Sequence, residues 1–166
     1  MRFFFIAATL VSQLCSTQVS AKAVFAHFMV SNSGKYTAAD WESDINAAKA
    51  AHIDAFAMNF ARNEATTDIA LPAAFAAADK LKFGLFFSFD YAANCTFPKE
   101  SVIKYINDYA GRPSYYRYNG KPFVSTFEGP DSAADWKTIK ASTGCHFVPD
   151  WSSKGAKTLF LSELAL

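Results

Sequence analysis

Five short apolar segments recur along the chain and predict the strands of one sheet. They cover Ala23–Val30, Ile53–Ala61, Phe83–Asp90, Phe123–Glu128 and His146–Trp151. Their apolar residues occupy consecutive positions rather than alternate ones, which is typical of strands covered on both faces, as in parallel sheets. The pattern therefore indicates about five parallel strands.

Segments with apolar residues at helical spacing lie between these strands. They cover Thr37–His52, Asp68–Leu81, Lys99–Tyr109 and Ser132–Ala141. Asn119–Gly120 adds a tight hairpin that leads into the fourth strand. Alternating strands and helices with right-handed crossovers predict an α/β fold with a parallel sheet and outer helices. A closed eight-stranded barrel needs roughly 250 residues, so the chain supplies either a small open sheet or a piece of a barrel.

The tetrapeptide Ala-Ala-Asp-Trp occurs twice, each time after a hydroxyl residue. Thr37–Asp40 and Ser132–Asp135 both fit capping boxes, in which side chains satisfy free amides at a helix start. Both aspartates are therefore excluded as functional acids. The tryptophans of the two copies, Trp41 and Trp136, are expected to pack between helix and sheet.

Charge and composition narrow the class of protein. The 166 residues carry 16 Lys+Arg and 15 Asp+Glu, and this balance gives no reason to expect nucleic acid or an acidic membrane as partner. Apolar residues make up 51% and 17 are Phe, so the chain can bury a core.

The N-terminus reads as a secretory signal peptide over residues 1–21. Arg2 precedes the apolar stretch Phe3–Leu14, and Val19–Ala21 forms a small-residue cleavage site. The alternative is a membrane anchor, but the stretch is shorter than the roughly 20 residues that a spanning helix needs. We expect a secreted, extracellular protein with no membrane association after cleavage.

Secretion bears on the cysteines and on glycosylation. Cys15 leaves with the signal, whereas Cys95 and Cys145 remain in an oxidising compartment. The strand assignment places these two at opposite ends of the sheet, too far apart for a disulfide, so no bridge is predicted. Asn94 begins an N-glycosylation acceptor.

Three of the predicted strands end on acids: Asp90, Glu128 and Asp150. In parallel α/β folds the carboxyl ends of the strands point to one face, and that face holds the active site. Glycoside hydrolysis uses a pair of carboxyl groups, so these three are the candidate catalytic residues. The alternative is that they cap helices or, for Glu128, stabilise the following turn.

Neighbouring side chains are candidates for binding a sugar. Tyr91 and Trp151 follow two of the acids and could stack on sugar faces. His27 and Asn59 lie in the first two strands, where a core position is as good an interpretation as a substrate contact. The spacing of His27 and the acids does not favour a metal site, and no cofactor motif is present.

Several motifs together resemble glycoside hydrolase family 71, the fungal α-1,3-glucanases or mutanases. They are KAVFAHFMV, YTAADWESDI, AAHIDAFAMNFA, LFFSFDYA, YNGKPFVSTFEGP and FVPDWSS, and they run from about residue 22 to 153. The resemblance implies a secreted enzyme that cleaves α-1,3-glucan endo-wise with inversion on a (β/α)8 scaffold. It makes Asp90 one of the acids needed for activity and places the proposed acid/base pair in a later Asp-Tyr-Gly-Glu segment. That segment does not occur in this sequence.

The resemblance also divides the chain. It implies a truncated (β/α)8 TIM barrel domain over residues 22–151, with about the first five strands, and a divergent tail over 152–166. We therefore expect incomplete catalysis by this chain. The alternatives are a non-catalytic carbohydrate-binding remnant and, less favoured, a metal-dependent hydrolase.

Overall fold

The computed structural model describes residues 22–92 and 96–155. Within them, four helices and six strands follow one another along the chain. The helices are α1 (Ala38–Ala50), α2 (Thr67–Leu81), α3 (Lys99–Tyr109) and α4 (Asp135–Thr143). The strands are β1 (Phe25–Met29), β2 (Ala55–Ala61), β3 (Gly84–Asp90), β4 (Arg117–Tyr118), β5 (Lys121–Phe127) and β6 (His146–Asp150). Every strand and helix expected from the sequence is confirmed.

The strands form one open sheet. β1, β2, β3, β5 and β6 lie side by side in that order and all pair in parallel. The short strand β4 pairs antiparallel with the start of β5. The turn between them has positive φ at Asn119 (49°) and Gly120 (76°), as the predicted Asn-Gly hairpin requires. The expected α/β fold is confirmed as a parallel sheet flanked by helices, like part of a barrel that is not closed.

The two copies of Ala-Ala-Asp-Trp differ in how their helices begin. Thr37 caps α1 with the full capping box, because its side chain accepts from the Asp40 amide and the Asp40 side chain accepts from the Thr37 amide. The predicted box at Ser132 is wrong. Pro130–Ser132 form a short 3-10 turn, and α4 begins only at Asp135. Gly129 has a φ of 89°, and Pro130 begins the turn directly after it. Ser132 is therefore part of the turn and does not adopt the extended backbone conformation of a helix cap.

One face of the sheet is covered by the helices. Alternate side chains of each strand point to it, among them Phe28 and the fully buried Phe87. Trp41 of α1 packs on Phe28 with ring centroids 5.0 Å apart. Trp136 of α4 stacks on a β6 ring with centroids 3.5 Å apart. Both tryptophans therefore pack between helix and sheet, which confirms that prediction.

The other side of the sheet, the open face, carries the remaining side chains of the strands. Its larger and polar members are Phe25, His27, Met29, Asn59, Phe86, Ser88, Asp90, Phe123, Ser125, Phe127, His146, Val148 and Asp150. Phe25, Phe86 and Phe123 cluster at its amino end, with ring centroids 4.8–5.5 Å apart. The carboxyl end of the open face is consequently left to polar and exposed residues.

Several sequence predictions fall outside the described residues. These are the signal peptide over 1–21, Asn94, Cys95 and most of the tail after residue 155. Cys145 is a free thiol, and burial raises its pKa. None of the helices in the described ranges is both long and apolar enough to cross a membrane.

Candidate active site

Two of the predicted acids share one row of the open face. Asp90 of β3 pairs in register with Phe127 of β5, which pairs in register with Asp150 of β6. Residues paired in register point to the same side, and adjacent strands lie about 4.8 Å apart. The backbones of Asp90 and Asp150 are therefore roughly 10 Å apart. We call Asp90, Phe127 and Asp150 the acidic rim.

The local backbone fixes both acids at the point where their strands end. Asp90 is partly buried, and its Oδ1 accepts a hydrogen bond from the Ala92 amide at 2.9 Å. Asp150 is exposed, and its carbonyl accepts a hydrogen bond from the Glu128 amide at 2.7 Å. The two carboxylates thus sit where the parallel strands leave the core, as the sequence pattern predicted.

Glu128 lies next to the rim in an unusual backbone conformation. Its φ is 57°, in the left-handed region that favours glycine. Its carboxylate accepts hydrogen bonds from Ser153 Oγ (2.5 Å), Ser152 Oγ (2.9 Å) and the Ser153 amide (2.9 Å). These hydrogen bonds lower the pKa of the Glu128 carboxyl, and the bond from the Ser153 side chain contributes most. The carboxylate is therefore an ionised anchor for the turn after β6 and is poorly suited to donating a proton.

The two predicted sugar-stacking rings lie inside the protein. Tyr91 is 8% exposed and Trp151 is 2% exposed. Tyr91 packs directly beneath Gly129, where an added Cβ would lie 2.5 Å from the ring. Burial raises the pKa of the Tyr91 hydroxyl. Stacking of these rings on a sugar stays a prediction, while their burial gives both a packing role beneath the loops.

The other two predicted binding residues differ in exposure. His27 is exposed on the open face, and its ring lies 6.5 Å from that of Phe127, centroid to centroid. The structure therefore brings His27 close to the acidic rim. Asn59 is only 3% exposed, and its amide donates to the Ser88 carbonyl at 3.4 Å. That bond ties β2 to β3 and gives Asn59 a structural partner.

Sequence reasoning missed Phe127. It is 38% exposed and lies in register between the two acids. The sequence could have indicated its exposure, because side chains alternate along a strand and Phe123, Ser125 and Phe127 therefore lie on one face. Reading the segment as an unbroken apolar run concealed that alternation.

Acidic side chains at one edge also raise the question of a metal. In the part of the chain that the structure describes, no three His, Cys, Asp or Glu side chains are grouped so as to hold an ion. What the rim offers is hydrogen-bond acceptors beside an exposed aromatic ring.

A parallel β/α sheet with carboxylates at the carboxyl ends of its strands has the arrangement in which β/α-barrel enzymes place their active sites. The chain belongs to Glycosyl hydrolase family 71, whose profile matches residues 20–164. The resemblance noted in the sequence is thereby confirmed.

Named relatives agree with the family. The chain is 38% identical over 128 residues to a mutanase of Penicillium rubens, covering 77% of this chain and 28% of the relative. It is 32% identical over 176 residues to a glucan endo-1,3-α-glucosidase of Schizosaccharomyces pombe, and this match covers 96% of this chain and 41% of the relative. An ascus wall endo-1,3-α-glucanase of the same yeast is 28% identical, and the match covers 88% of this chain and 34% of the relative. The chain thus spans less than half the length of these relatives.

Proposed function

We propose that this chain binds α-1,3-glucan at the acidic rim and supplies part of a site for its endo-wise hydrolysis with inversion. The observation that carries the proposal is the row of Asp90, Phe127 and Asp150 across three adjacent parallel strands. The names of the relatives, which specify α-1,3-glucan, support the choice of polymer.

The rim suits a sugar chain in two ways. Its carboxylates accept hydrogen bonds from hydroxyl groups, and the exposed Phe127 ring offers an apolar surface to a sugar face.

Glu128 acts in this proposal as a positioning residue. Its carboxylate fixes the turn at Ser152 and Ser153, and its amide bonds the Asp150 carbonyl. It therefore holds the end of β6, and with it Asp150, in a constant place.

Turnover by these 166 residues is proposed to be incomplete. The family resemblance assigns the acid/base pair to a segment that does not occur here, so Asp90 and Asp150 would bind and orient the sugar. A carbohydrate-binding remnant is accordingly the second candidate function, favoured by the exposed ring between the two acids. Secretion through the 1–21 signal, glycosylation at Asn94 and action in the fungal cell wall belong to the same proposal.

Two assays on the same insoluble α-1,3-glucan test the proposal. Co-sedimentation measures binding, and released reducing ends measure hydrolysis. We expect Asp90→Asn and Asp150→Asn each to weaken binding about tenfold, because hydrogen bonds to charged groups are the stronger ones. Glu100→Gln, an exposed acid on α3, is the matched control.

The outcomes separate the alternatives. Binding without release supports the carbohydrate-binding function, and release abolished by either rim variant supports hydrolysis. Release that a chelator stops would favour a metal-dependent hydrolase instead. Rim variants that bind as wild type does would remove the proposed site.

A further inference from the structure

The helix layer is divided by a groove between α2 and α3. α1 packs on α2 and α3 packs on α4, whereas a cavity of about 340 Å³ lies between the two pairs. It continues into a second hollow of about 310 Å³ beside the loop after β2, and the two share Asp68, Ser101 and Tyr105. From Ser101 to Tyr109 the groove follows α3 for about 12 Å. That extended shape suits a chain-like ligand better than an ion.

Two tyrosines form the floor of the groove. Tyr105 packs against Phe60 with ring centroids 5.2 Å apart, and Tyr109 packs against Phe75 at 4.7 Å. Both remain partly exposed on the groove side. Burial raises the pKa of both hydroxyls, so they stay protonated at neutral pH. The floor therefore presents rigid apolar ring surface together with hydroxyl groups.

The walls of the groove carry unused hydrogen-bonding capacity. Asp68 is exposed, and no residue of the described ranges holds its carboxylate by a hydrogen bond or ion pair. Asp108 is paired with Lys104 at 2.5 Å, so two carboxylates and one ammonium leave one net negative charge. Thr67 lines the groove and is only 2% exposed, yet its Oγ1 has no partner among the described side chains and backbone. Leaving a buried hydroxyl without a hydrogen-bond partner costs free energy.

From these features we infer that the groove between α2 and α3 binds a short, neutral, hydroxyl-rich oligosaccharide at a second site. The net negative charge disfavours anionic ligands, while carboxylates and hydroxyls beside aromatic rings match the hydroxyl edges and apolar faces of a sugar. The choice of glucose as the sugar rests on the proposed function. Because the groove begins at the carboxyl end of β2, a polymer held there stays at the same end of the sheet as the acidic rim.

A site-resolved titration tests the inference. The full chain, labelled with ¹⁵N, is titrated with an α-1,3-linked glucose trisaccharide, and amide shifts are followed at Ser101 and Tyr105 in the groove and at Asp150 in the rim. We expect shifts in the groove that Asp68→Asn weakens about tenfold in affinity. Tyr105→Phe, which removes one hydroxyl, should weaken them two- to tenfold. Glu100→Gln lies on the same helix outside the groove and should bind as wild type does.

The two proposals fail in different ways. Shifts confined to the rim would overturn the second site and leave the proposed function intact. Shifts confined to the groove would support the second site and count against binding at the rim. Groove shifts that Asp68→Asn leaves unchanged, or no shift at either place, would overturn the inference.

Discussion

The two faces of the sheet are formed by the same strands but differ in how deeply their side chains are buried. On the helix-covered face the side chains are large, apolar and buried, as Phe87 and Phe89 show with 0% exposure each. On the open face Phe25, Phe86 and Phe123 cluster at the amino end. Further along the strands, Met29, Phe127 and Val148 are 38–47% exposed. One face therefore stabilises the fold, and the other can present chemistry.

The difference shows how one strand can serve both purposes. In β3, Phe87 and Phe89 point into the helix layer, whereas Ser88 and Asp90 point the other way. Because successive side chains alternate, the core residues hold the backbone while the rim acid stays at the surface. Placing a charge at the last position of the strand avoids the cost of burying it.

The largest expected effect comes from truncating the covered face. Phe87→Ala should lower the free energy of unfolding by about 3–5 kcal/mol, because Phe87 is fully buried against Phe60, Phe75 and Tyr109. Phe127→Ala on the open face should cost less than about 1 kcal/mol. Urea denaturation followed by circular dichroism measures both.

Equal losses at the two positions would contradict the contrast between the faces. If Phe87→Ala does not fold, Phe87→Leu keeps most of the volume and still allows the comparison with Phe127→Leu. The order of the two losses is expected to be the same.

A smaller effect is expected where the chain leaves β5. Gly129→Ala should lose about 2–4 kcal/mol, since φ is 89° and the new Cβ would lie 2.5 Å from the Tyr91 ring. Gly144→Ala, at φ 65° with nothing within 4 Å, should lose only the backbone cost of about 1–2 kcal/mol. The same denaturation measurement compares them, and a loss no larger at Gly129 would show that Tyr91 is not packed beneath that turn.

The smallest expected effect is the pH dependence of the Glu128 anchor. The folded protein holds the pKa of Glu128 below its ordinary value of 4.5, so its carboxylate contributes stability above that pH. The gap in unfolding free energy between wild type and Glu128→Gln should be constant near neutrality and shrink as the pH falls through the lowered pKa. Denaturation from neutral pH down to about pH 3 measures it.

Glu100→Gln on the exposed side of α3 controls for the loss of one negative charge. A gap that widens as the pH falls would mean that the Ser152–Ser153 turn does not bind the ionised form of Glu128.

Much of this architecture could be predicted because it depends on local pattern. The bounds of α3, the hairpin at Asn119–Gly120 and the capping box at Thr37 follow from short segments whose residues act on their own neighbours. The expected cap at Ser132 failed because the backbone set by Gly129 and Pro130, a few residues earlier, placed Ser132 in a turn.

The roles within the site were harder to predict. Tyr91 and Trp151 look alike in sequence, as aromatic residues beside acids. Both are buried, and Tyr91 lies beneath Gly129, which is distant in the chain. Phe127 is exposed, although it ends an apolar run. The serines that bind Glu128 follow a different strand, so no local pattern connects them to it.

The sequence by itself determined the parallel α/β sheet, the family and the positions of Asp90 and Asp150 at strand ends, because periodicity and strand polarity are properties of the chain. Only the tertiary structure decided which neighbours those acids have, which rings face solvent, and that Glu128 is held by the turn after β6. Those outcomes depend on strand register and on packing between residues far apart in the chain, and the free energy of such contacts is not encoded in any one segment.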